Sequence, residues 1–305
     1  MKIVVTGGAG FIGSHIADAY IQKGHRVAII DNLLTGSKRN LDSRSIFYKA
    51  DIRNSALMER IMKKERPEIV NHHAAIAEVA KSVIDPLPTF ETNVLGTINI
   101  LRAFGVHGKG KKKFIFASTG GAIYGNPSRL PASEATLPAP LSPYGLSKLM
   151  AEEAIVFYAH YYKFPYLMLR YANVYGPRQN PHGEAGVVAI FGGLMNKGKR
   201  PTIFGDGTKT RDYVYVKDVA HANVLGLARG TDVAVNIGGG KEVSDQMIFD
   251  AVGHHTRFPR RPVYAPFRAG EVKRIALDAR RATRVLGWKP RMALREGIEY
   301  TLATL

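Results

Sequence analysis

Short apolar runs alternate with longer helix-like segments through the first 173 residues. The runs are KIVVTG, RVAIID, SIFYKAD, EIVNHHAA, KFIFAST and PYLMLRYAN. Strand-like runs that alternate with helical patterns at this spacing are typical of βαβ units. The pattern therefore predicts an α/β fold built on a doubly wound parallel sheet of the Rossmann type, with a first domain over residues 1–173.

The pattern changes after about residue 175. Glycine, proline and charged residues become more frequent, as in YGPRQNPHGEAG and NKGKRPTIFGDGTKTRD. We expect a second, smaller α/β lobe over residues 174–305 that covers the carboxyl edge of the sheet, where open α/β folds bind ligands. A strand and helix pattern in DYVYVKDVAHANVLGLA indicates that the chain returns to the first domain near residues 212–237.

Composition excludes several classes of protein. The chain has 305 residues, 45% of them hydrophobic, which is enough for a large core. There is no run of 18 apolar residues, and the N-terminus enters a strand pattern directly, so we expect a cytoplasmic protein without a membrane span. The absence of cysteine excludes disulfides and thiolate sites. Neighbouring side chains on a strand point to opposite faces, so His72 and His73 do not predict a metal site.

The net charge is unusual. The chain carries 43 Lys and Arg against 25 Asp and Glu, a formal charge of +18, as nucleic-acid-binding proteins often do. The basic residues are scattered, however, and the short clusters KGKKK and RFPRR are not interleaved with a groove-reading motif. We therefore expect no nucleic-acid partner, because a basic surface equally attracts an anionic small molecule. Tight binding to duplex DNA at about 150 mM salt would favour the nucleic-acid alternative, since phosphate-driven affinity falls steeply there.

The segment VVTGGAGFIGSHIADAYIQKGHRVAIID predicts a phosphate-binding loop between a strand and a helix. Gly7, Gly10 and Gly13 permit a tight turn, close approach of the backbone to a pyrophosphate and close packing of helix on strand. The helix N-terminus presents free N–H groups to the anion. Asp31 ends the second strand, where a carboxylate accepts hydrogen bonds from ribose hydroxyls and repels a 2′-phosphate. The sequence therefore predicts dinucleotide binding and favours NAD over NADP.

The stretch SPYGLSKLMAEE contains a second candidate site. Tyr144 and Lys148 are four residues apart and followed by a helix-favouring run. On a helix this spacing places both side chains on one face, with Cβ atoms about 6 Å apart. The phenol and the ammonium are therefore able to act on the same atoms.

The glycine spacing of TGGAGFIG, together with YGLSK, resembles the extended short-chain dehydrogenase/reductase family. The blocks KADIRN, NHHAA, ETNVLGTINIL, STGGAIYG, RYANVYGPRQ, GDGTKTRDYVYVKDVA, RAGEVKR and LGW resemble those of its nucleotide-sugar epimerases. The resemblance covers nearly the whole chain and implies a UDP-hexose 4-epimerase that interconverts UDP-galactose and UDP-glucose through a 4-keto sugar, with bound NAD. UDP-glucuronate and UDP-N-acetylhexosamine 4-epimerases are the nearest enzymatic alternatives, and an NAD-binding sensor is the non-enzymatic one.

The resemblance implies that Tyr144 and Lys148 are catalytic. A phenol has a pKa of about 10, which must fall by roughly 3 units for a base near neutrality. We expect Lys148 to contribute most of this, since an ammonium at about 6 Å contributes roughly 3 kcal/mol at an effective dielectric of 20, and the nicotinamide charge to supply the rest. The third catalytic group of the family is a hydroxyl. Gly120 occupies its commonest position, so Thr119 is the first candidate and Ser118 the second.

The resemblance also implies the binding residues. Those for NAD lie in the phosphate loop, at the strand ends and along the groove: Gly7, Gly10, Phe11, Ile12, Gly13, Asp31, Asn32, Thr35, Gly36, Asp51, Ile52, His73, Ala74, Ala75, Asn93, Tyr144, Lys148 and Tyr171. Those for the UDP-sugar are Thr119, Asn173, Arg178, Thr202, Phe204, Arg211, Arg268 and Glu271. Guanidinium groups suit a diphosphate, which they bind with two hydrogen bonds.

Three further expectations concern reaction type, sugar and assembly. Related dehydratases carry an Asp-Glu pair where this chain has Gly121 and Ala122, so elimination of water is not expected. Ile275 aligns with a position that limits room beside carbon 2 of the sugar, and its size predicts turnover of N-acetylated UDP-sugars. Family members commonly form homodimers through paired helices. The candidates are residues 90–104 and 144–162, on which Leu101, Ile155 and Tyr158 face either a partner or the core.

Overall fold

The computed structural model describes residues 1–110, 112–182 and 186–305, so Lys111 of the KGKKK run lies outside it. Its strands are β1 (Lys2–Thr6), β2 (Arg26–Asp31), β3 (Ile46–Lys49), β4 (Ile69–His72), β5 (Lys113–Thr119), β6 (Tyr166–Tyr171), β7 (Asn173–Tyr175), β8 (Thr202–Phe204), β9 (Thr210–Arg211), β10 (Tyr213–Tyr215), β11 (Val233–Ile237), β12 (Val243–Ser244) and β13 (Val263–Ala265).

The α-helices are α1 (Phe11–Gln22), α2 (Ser55–Glu65), α3 (Val79–Ile84), α4 (Leu87–Phe90), α5 (Gly96–His107), α6 (Gly120–Ile123), α7 (Pro143–Tyr162), α8 (Val187–Met195), α9 (Val216–Gly226), α10 (Asp245–Thr256), α11 (Arg280–Leu286) and α12 (Leu294–Leu302). A π-helical turn over Glu91–Leu95 joins α4 to α5, and a short 3₁₀ turn spans Lys38–Asn40. No helix in the described ranges is both long and apolar enough to cross a membrane.

Seven parallel strands form the main sheet, in the order β3-β2-β1-β4-β5-β6-β11. The chain runs outward from β1 to β3 and then in the opposite direction from β4, so the order reverses between β1 and β4. A crevice opens at the carboxyl edge of a sheet at such a reversal. The predicted doubly wound parallel sheet is thus confirmed, and β11 brings the chain back to it after the segment that begins at β7.

Helices cover both faces of this sheet, which explains why its strands are apolar on both sides. On one face, α1, α9 and α11 pack over a core that includes Ile16, Leu286 and Trp288. On the other, α2, α5 and α7 enclose a core that includes Phe104 and Phe114. The sheet therefore is a rigid platform whose carboxyl edge remains accessible.

A third core belongs to the shorter elements after residue 173. Helices α8, α10 and α12 pack around Phe191, Phe249 and Ile298. Three two-stranded sheets accompany them, formed by β7 with β10, β8 with β13 and β9 with β12. The parallel pairing of β8 with β13 places the end of β8 beside the loop that follows β13.

The start of α7 determines where the predicted tyrosine and lysine lie. The Ser142 side chain accepts a hydrogen bond from the backbone N–H of Gly145 at 3.2 Å, and Pro143 occupies the first turn. A serine cap followed by proline is a strong helix start, because neither the missing proline N–H nor its fixed φ disturbs the first turn. Tyr144 thus lies in the first turn and Lys148 in the second.

Replacing Phe104 by alanine tests the core between α5 and the sheet. Phe104 is fully buried, and its ring centroid lies 5.2 Å from that of Phe164 and 6.2 Å from that of Phe114. We expect Phe104→Ala to lower the free energy of unfolding by about 3–5 kcal/mol, because the change leaves a cavity. Denaturant unfolding measures it. Met247→Ala on α10 is the control: Met247 is 56% exposed, so the change should stay within about 0.5 kcal/mol. Equal effects of the two changes would contradict this packing.

Candidate active site

A cleft of about 780 Å³ lies at the carboxyl edge of the sheet, lined from both the sheet and the later elements. All the residues predicted from the sequence to bind cofactor or substrate line it, except Gly36 and Asn93. The lining residues come from positions as far apart as Gly7 and Glu271. The fold therefore brings the predicted groups to one place.

The phosphate loop has the backbone that its glycines suggest. Gly7 has φ +68°, and a Cβ there would lie 2.7 Å from the backbone nitrogen of Ala74. A Cβ on Gly13 would lie 2.2 Å from the carbonyl oxygen of Gly7. Among the residues that the structure describes, no side chain caps the N-terminus of α1, so its first N–H groups are available to an anion. This cradle fits a dinucleotide pyrophosphate.

Asp31 lies at the end of β2 and is buried. Its two carboxylate oxygens accept backbone hydrogen bonds from Ala9 at 3.0 Å and from Leu33 at 2.8 Å. Each oxygen keeps a second lone pair that can accept a ribose hydroxyl. The backbone bonds thus hold the carboxylate at the cleft without saturating it.

Beyond Asp31, a cluster of polar side chains marks the far end of the cleft. The Asn32 amide donates to Asp51 at 3.1 Å, and the Arg53 guanidinium makes two hydrogen bonds to the same carboxylate. These bonds lower the pKa of Asp51 to about 2, with Arg53 as the main cause. Asp51 is therefore an anionic acceptor at any ordinary pH.

Tyr144 and Lys148 share one face of α7, as their spacing predicts. Lys148 is buried and donates from Nζ to the carbonyl oxygen of Ala117 at 2.8 Å. Its Nζ also lies 4.7 Å from the centroid of the Phe116 ring, where the π-face attracts a cation. These contacts tie the second turn of α7 to the last residues of β5.

The expectation that Lys148 acidifies Tyr144 is wrong for the chain by itself. Burial raises the pKa of Tyr144 to about 12, and only a hydrogen bond with the Thr119 side chain opposes this rise. Burial also lowers the pKa of Lys148 to about 7. The expectation left out desolvation, since burial penalises the charged form of each group.

The two candidate hydroxyls of β5 point in different directions. The Ser118 hydroxyl donates to the carboxylate of Glu152, a buried residue of α7. Thr119 is the next residue along the strand, and its side chain lies close enough to the Tyr144 hydroxyl to lower the pKa of that group. Side chains alternate along a strand, so one of the two must face away from the tyrosine. The geometry favours Thr119 as the partner of Tyr144.

The far wall of the cleft is formed by the shorter elements. The Arg268 guanidinium carbon lies 3.4 Å from the centroid of the Phe204 ring, which aligns the two predicted residues face to face. Lys209 is buried between two carboxylates, at 2.8 Å from Glu271 and 3.2 Å from Asp245. Burial lowers the pKa of Arg211. This wall thus presents cations, a flat aromatic face and a fixed carboxylate.

Lys209, Asp245 and the buried Tyr213 line the cleft but were not predicted. Lys209 and Tyr213 stand in the block GDGTKTRDYVYV, which was recognised for Arg211 only. Nothing in the sequence pairs Lys209 with Asp245 or Glu271, which follow it by 36 and 62 residues. Those contacts arise from tertiary packing.

Four residues named in the sequence analysis have surroundings that the sequence did not indicate. Asn93 lies behind the cleft, where its amide bonds the backbone of Ile76 and the Ser147 hydroxyl. Gly36 lies under Asp31, and a Cβ there would be 3.0 Å from the Asp31 carboxylate. These two residues contact the cleft wall from behind and do not line the cleft.

The other two residues, Arg178 and Ile275, were expected to lie beside the substrate. Arg178 lines the cleft, and its guanidinium pairs with Asp18 of α1 at 2.8 Å. Ile275 is 1% exposed, belongs to the core under α9 and does not line the cleft. The sequence argument from Ile275 for N-acetylated substrates is therefore wrong.

In the part of the chain that the structure describes, no group of three or more His, Asp and Glu side chains is placed to hold a metal ion. The two adjacent histidines have separate surroundings. His72 lies within hydrogen-bonding distance of Thr6 and Thr97, whereas His73 Nε2 lies 3.0 Å from the Tyr171 hydroxyl. They point to opposite sides of β4, as the strand geometry requires.

Comparison with known proteins gives a consistent result. The model of the NAD dependent epimerase/dehydratase family matches residues 3–238. A provisionally named UDP-glucose 4-epimerase of Methanocaldococcus jannaschii is 50% identical over 97% of this chain and 96% of its own.

Two crystal structures are similar over the full length. UDP-glucose 4-epimerase of Thermotoga maritima with UDP-glucose is 46% identical, with a TM-score of 0.97, covering 100% of this chain and 98% of that one. The Thermus thermophilus UDP-glucose 4-epimerase with NAD is 41% identical, with a TM-score of 0.94 and the same coverage. Agreement in sequence and fold shows that this chain belongs to the NAD dependent epimerase/dehydratase family.

Proposed function

We propose that this protein is a UDP-glucose 4-epimerase that interconverts UDP-galactose and UDP-glucose through a 4-keto sugar, with NAD as its cofactor. The observation that carries the proposal is the convergence of Tyr144, Lys148 and Thr119 in the cleft that also contains the glycine cradle. The similarity to the Thermotoga maritima and Thermus thermophilus enzymes extends over the whole chain and supports the same activity.

Bound NAD supplies a hydride acceptor and a positive charge. The glycine cradle and the N-terminus of α1 hold its pyrophosphate, and Asp31 accepts hydrogen bonds from its adenine ribose. Asp51 lies farther along the cleft and accepts from the adenine end. The buried carboxylate at Asp31 disfavours a 2′-phosphate, which supports the choice of NAD over NADP.

Tyr144 takes the proton from the hydroxyl on carbon 4 of the sugar as the carbon is oxidised, and returns it after the sugar has turned over. The chain alone leaves the pKa of this phenol near 12, so it becomes a base only in the complex with a cation beside it. Thr119 donates to the oxygen on carbon 4 and holds it beside Tyr144. Lys148 contributes its charge and holds the cofactor ribose.

The diphosphate and uracil are bound by the wall that the shorter elements form. Arg211 and Arg268 provide the cations, since a guanidinium makes two parallel hydrogen bonds to phosphate oxygens. Phe204 offers a flat face to the uracil, and Thr202 lies two residues before it. Glu271 is held by Lys209 through one oxygen, which leaves the other to accept a hydroxyl of the nucleotide.

We also propose two domains: an NAD-binding domain over residues 1–173, extended by a return segment near 212–237, and a UDP-sugar-binding domain over the rest of 174–305. The pairing of β11 with β6 and the contact of α9 with α1 support the return. The separate core around Phe191 and Phe249 supports the second domain.

We propose that the protein forms a homodimer through the outer face of α5 and α7. Leu101 and Ile155 are fully buried in the core, and Tyr158 is half-buried against it. The outer face of α7 instead carries apolar side chains that are 41–66% exposed and recur at intervals of 4, 7 and 4 residues: Leu146, Met150, Phe157 and Tyr161. Val106 of the adjacent α5 is 57% exposed. A stripe of this kind is typical of a helix-pairing surface.

Conversion of UDP-galactose to UDP-glucose by the purified protein tests the activity. We expect product with NAD present, and a loss of at least about 100-fold in kcat for Tyr144→Phe, because the general base is removed. Tyr161→Phe, a change on the exposed face of the same helix, serves as the control and should leave kcat unchanged. Faster turnover of UDP-glucuronate or UDP-N-acetylgalactosamine would assign one of the alternative sugars. Retention of NAD without turnover of any sugar would favour a sensor.

A methyl group in the glycine cradle should abolish NAD binding. Gly13→Ala places Cβ 2.2 Å from the Gly7 carbonyl oxygen, so either the loop or α1 must shift. We expect at least a 100-fold rise in Kd for NAD, measured by calorimetry on the cofactor-free protein. Gly253→Ala on α10 is the matched control, because a Cβ there meets no atom within 4 Å. Unchanged affinity in Gly13→Ala would contradict the cradle.

Charge placed on the outer face of α7 should prevent assembly. We expect the double variant Phe157→Glu, Tyr161→Glu to sediment as a monomer where the parent sediments as a dimer, because four carboxylates would meet at the interface. Tyr300→Glu on α12, at a site 51% exposed, is the control and should remain dimeric. A monomeric parent, or a dimeric double variant, would show that this face is not the interface.

A further inference from the structure

A buried ion pair lies one turn beyond Lys148. Glu152 follows Lys148 on the same face of α7 and is 3% exposed. The Arg170 guanidinium of β6 donates to both of its oxygens, from Nε at 3.0 Å and from Nη2 at 2.6 Å. The Ser118 hydroxyl donates to the same carboxylate. The pair therefore fastens α7 to the central strands directly beneath the reactive residues.

The pair extends into a longer polar chain. Arg170 Nη1 donates to the Tyr124 hydroxyl at 3.0 Å, and that hydroxyl donates to the Asn236 side chain at 2.8 Å. Asn236 belongs to β11, so the chain of hydrogen bonds spans β5, β6 and β11. Such a network fixes the positions of its side chains, and it also places one negative and one positive charge near Lys148.

The titratable groups that face Lys148 come from three elements. His72 and His73 of β4 are uncharged, since burial holds the pKa of His72 well below its usual value and that of His73 at about 3. Tyr144 of α7 is a neutral phenol in the chain alone. Within the described residues, Glu152 is the carboxylate that favours the ammonium of Lys148, and Arg170 of β6 is the cation paired with it.

Two opposite charges next to Lys148 act in opposite directions. A carboxylate alone favours the ammonium, whereas a guanidinium alone disfavours it. With both present the net charge of the pair is zero, and its remaining effect on the protonation of Lys148 depends on whether Glu152 or Arg170 lies nearer. Glu152 is on the same helix face one turn away, so its effect exceeds that of Arg170. This agrees with the rise that Glu152 causes in the pKa of Lys148 against the effect of burial.

We propose that Glu152 and Arg170 are positioning residues for the epimerase reaction, which balance the charge beside Lys148 and hold the end of β5 against α7. The inference rests on the proposed function, in which Lys148 acts as an ammonium. Through Ser118, the pair fixes the strand end that supplies the Ala117 carbonyl to Lys148 and the Thr119 hydroxyl to Tyr144. Neither residue lines the cleft.

Single neutral variants should move the alkaline limb of the pH profile of kcat in opposite directions. Glu152→Gln leaves the Arg170 charge unopposed, so Lys148 loses its proton at lower pH and the limb shifts down by about 1 pH unit. Arg170→Gln leaves the Glu152 charge unopposed, so the limb shifts up by a similar amount. The double variant has neither charge, and its limb should return toward that of the parent.

The experiment measures kcat for UDP-galactose against pH with the NAD-loaded parent, both single variants and the double variant. Tyr124→Phe is the control: it removes a hydrogen bond from Arg170 without changing charge, so it should lower Tm and leave the limb in place. If Glu152→Gln does not fold, the charge of Glu152 is tested by comparing Arg170→Gln with the double variant. The two differ only in that charge, so the alkaline limb of Arg170→Gln should lie at the higher pH.

Opposite shifts support the proposal, because structural damage alone would lower kcat at every pH in both variants. Shifts in the same direction, or limbs that stay at the position of the parent, would overturn it. Failure of the parent to convert UDP-galactose would instead count against the proposed function, so the two failures are distinguishable.

Discussion

The burial of one ammonium group organises the reactive end of the cleft. Lys148 leaves water, and two contacts replace its hydration: the Ala117 carbonyl oxygen at 2.8 Å and the face of the Phe116 ring at 4.7 Å. Both partners belong to β5, the strand that also carries Thr119. An effective desolvation cost of several kcal/mol per buried ion makes these contacts necessary, so α7 and β5 are held in one register.

Burial that positions these groups also opposes their ionisation. The pKa of Tyr144 rises and that of Lys148 falls, although a general base and an ammonium are the forms that the reaction needs. The site is therefore inactive as a base until a further positive charge arrives. In the proposed reaction that charge comes with the cofactor, which suits a step in which a sugar hydroxyl loses its proton while hydride leaves the carbon that bears it.

The rest of the cleft follows the same principle of fixed charges on rigid supports. Backbone N–H groups hold Asp31, Arg53 holds Asp51, and Lys209 holds Glu271. Each carboxylate that faces the cleft is thus oriented before any ligand binds, which reduces the entropy lost on binding. The cations Arg211 and Arg268 share the wall of shorter elements with Glu271, whereas Asp31 and Asp51 line the cleft from the side of the main sheet.

The sequence by itself determined the sheet, the glycine cradle and the spacing of Tyr144 and Lys148. These are local: apolar runs form strands, glycines permit the turn at Gly7, and a helix repeats every 3.6 residues. Tertiary structure alone decided which hydroxyl faces Tyr144, that Asn93 and Ile275 lie behind the cleft, that Arg178 pairs with Asp18, and that Lys209 joins Asp245 and Glu271. It also reversed the expected pKa shift of Tyr144. The reason is that burial and electrostatic partnership depend on residues distant in the chain, whereas strand and helix patterns depend on neighbours.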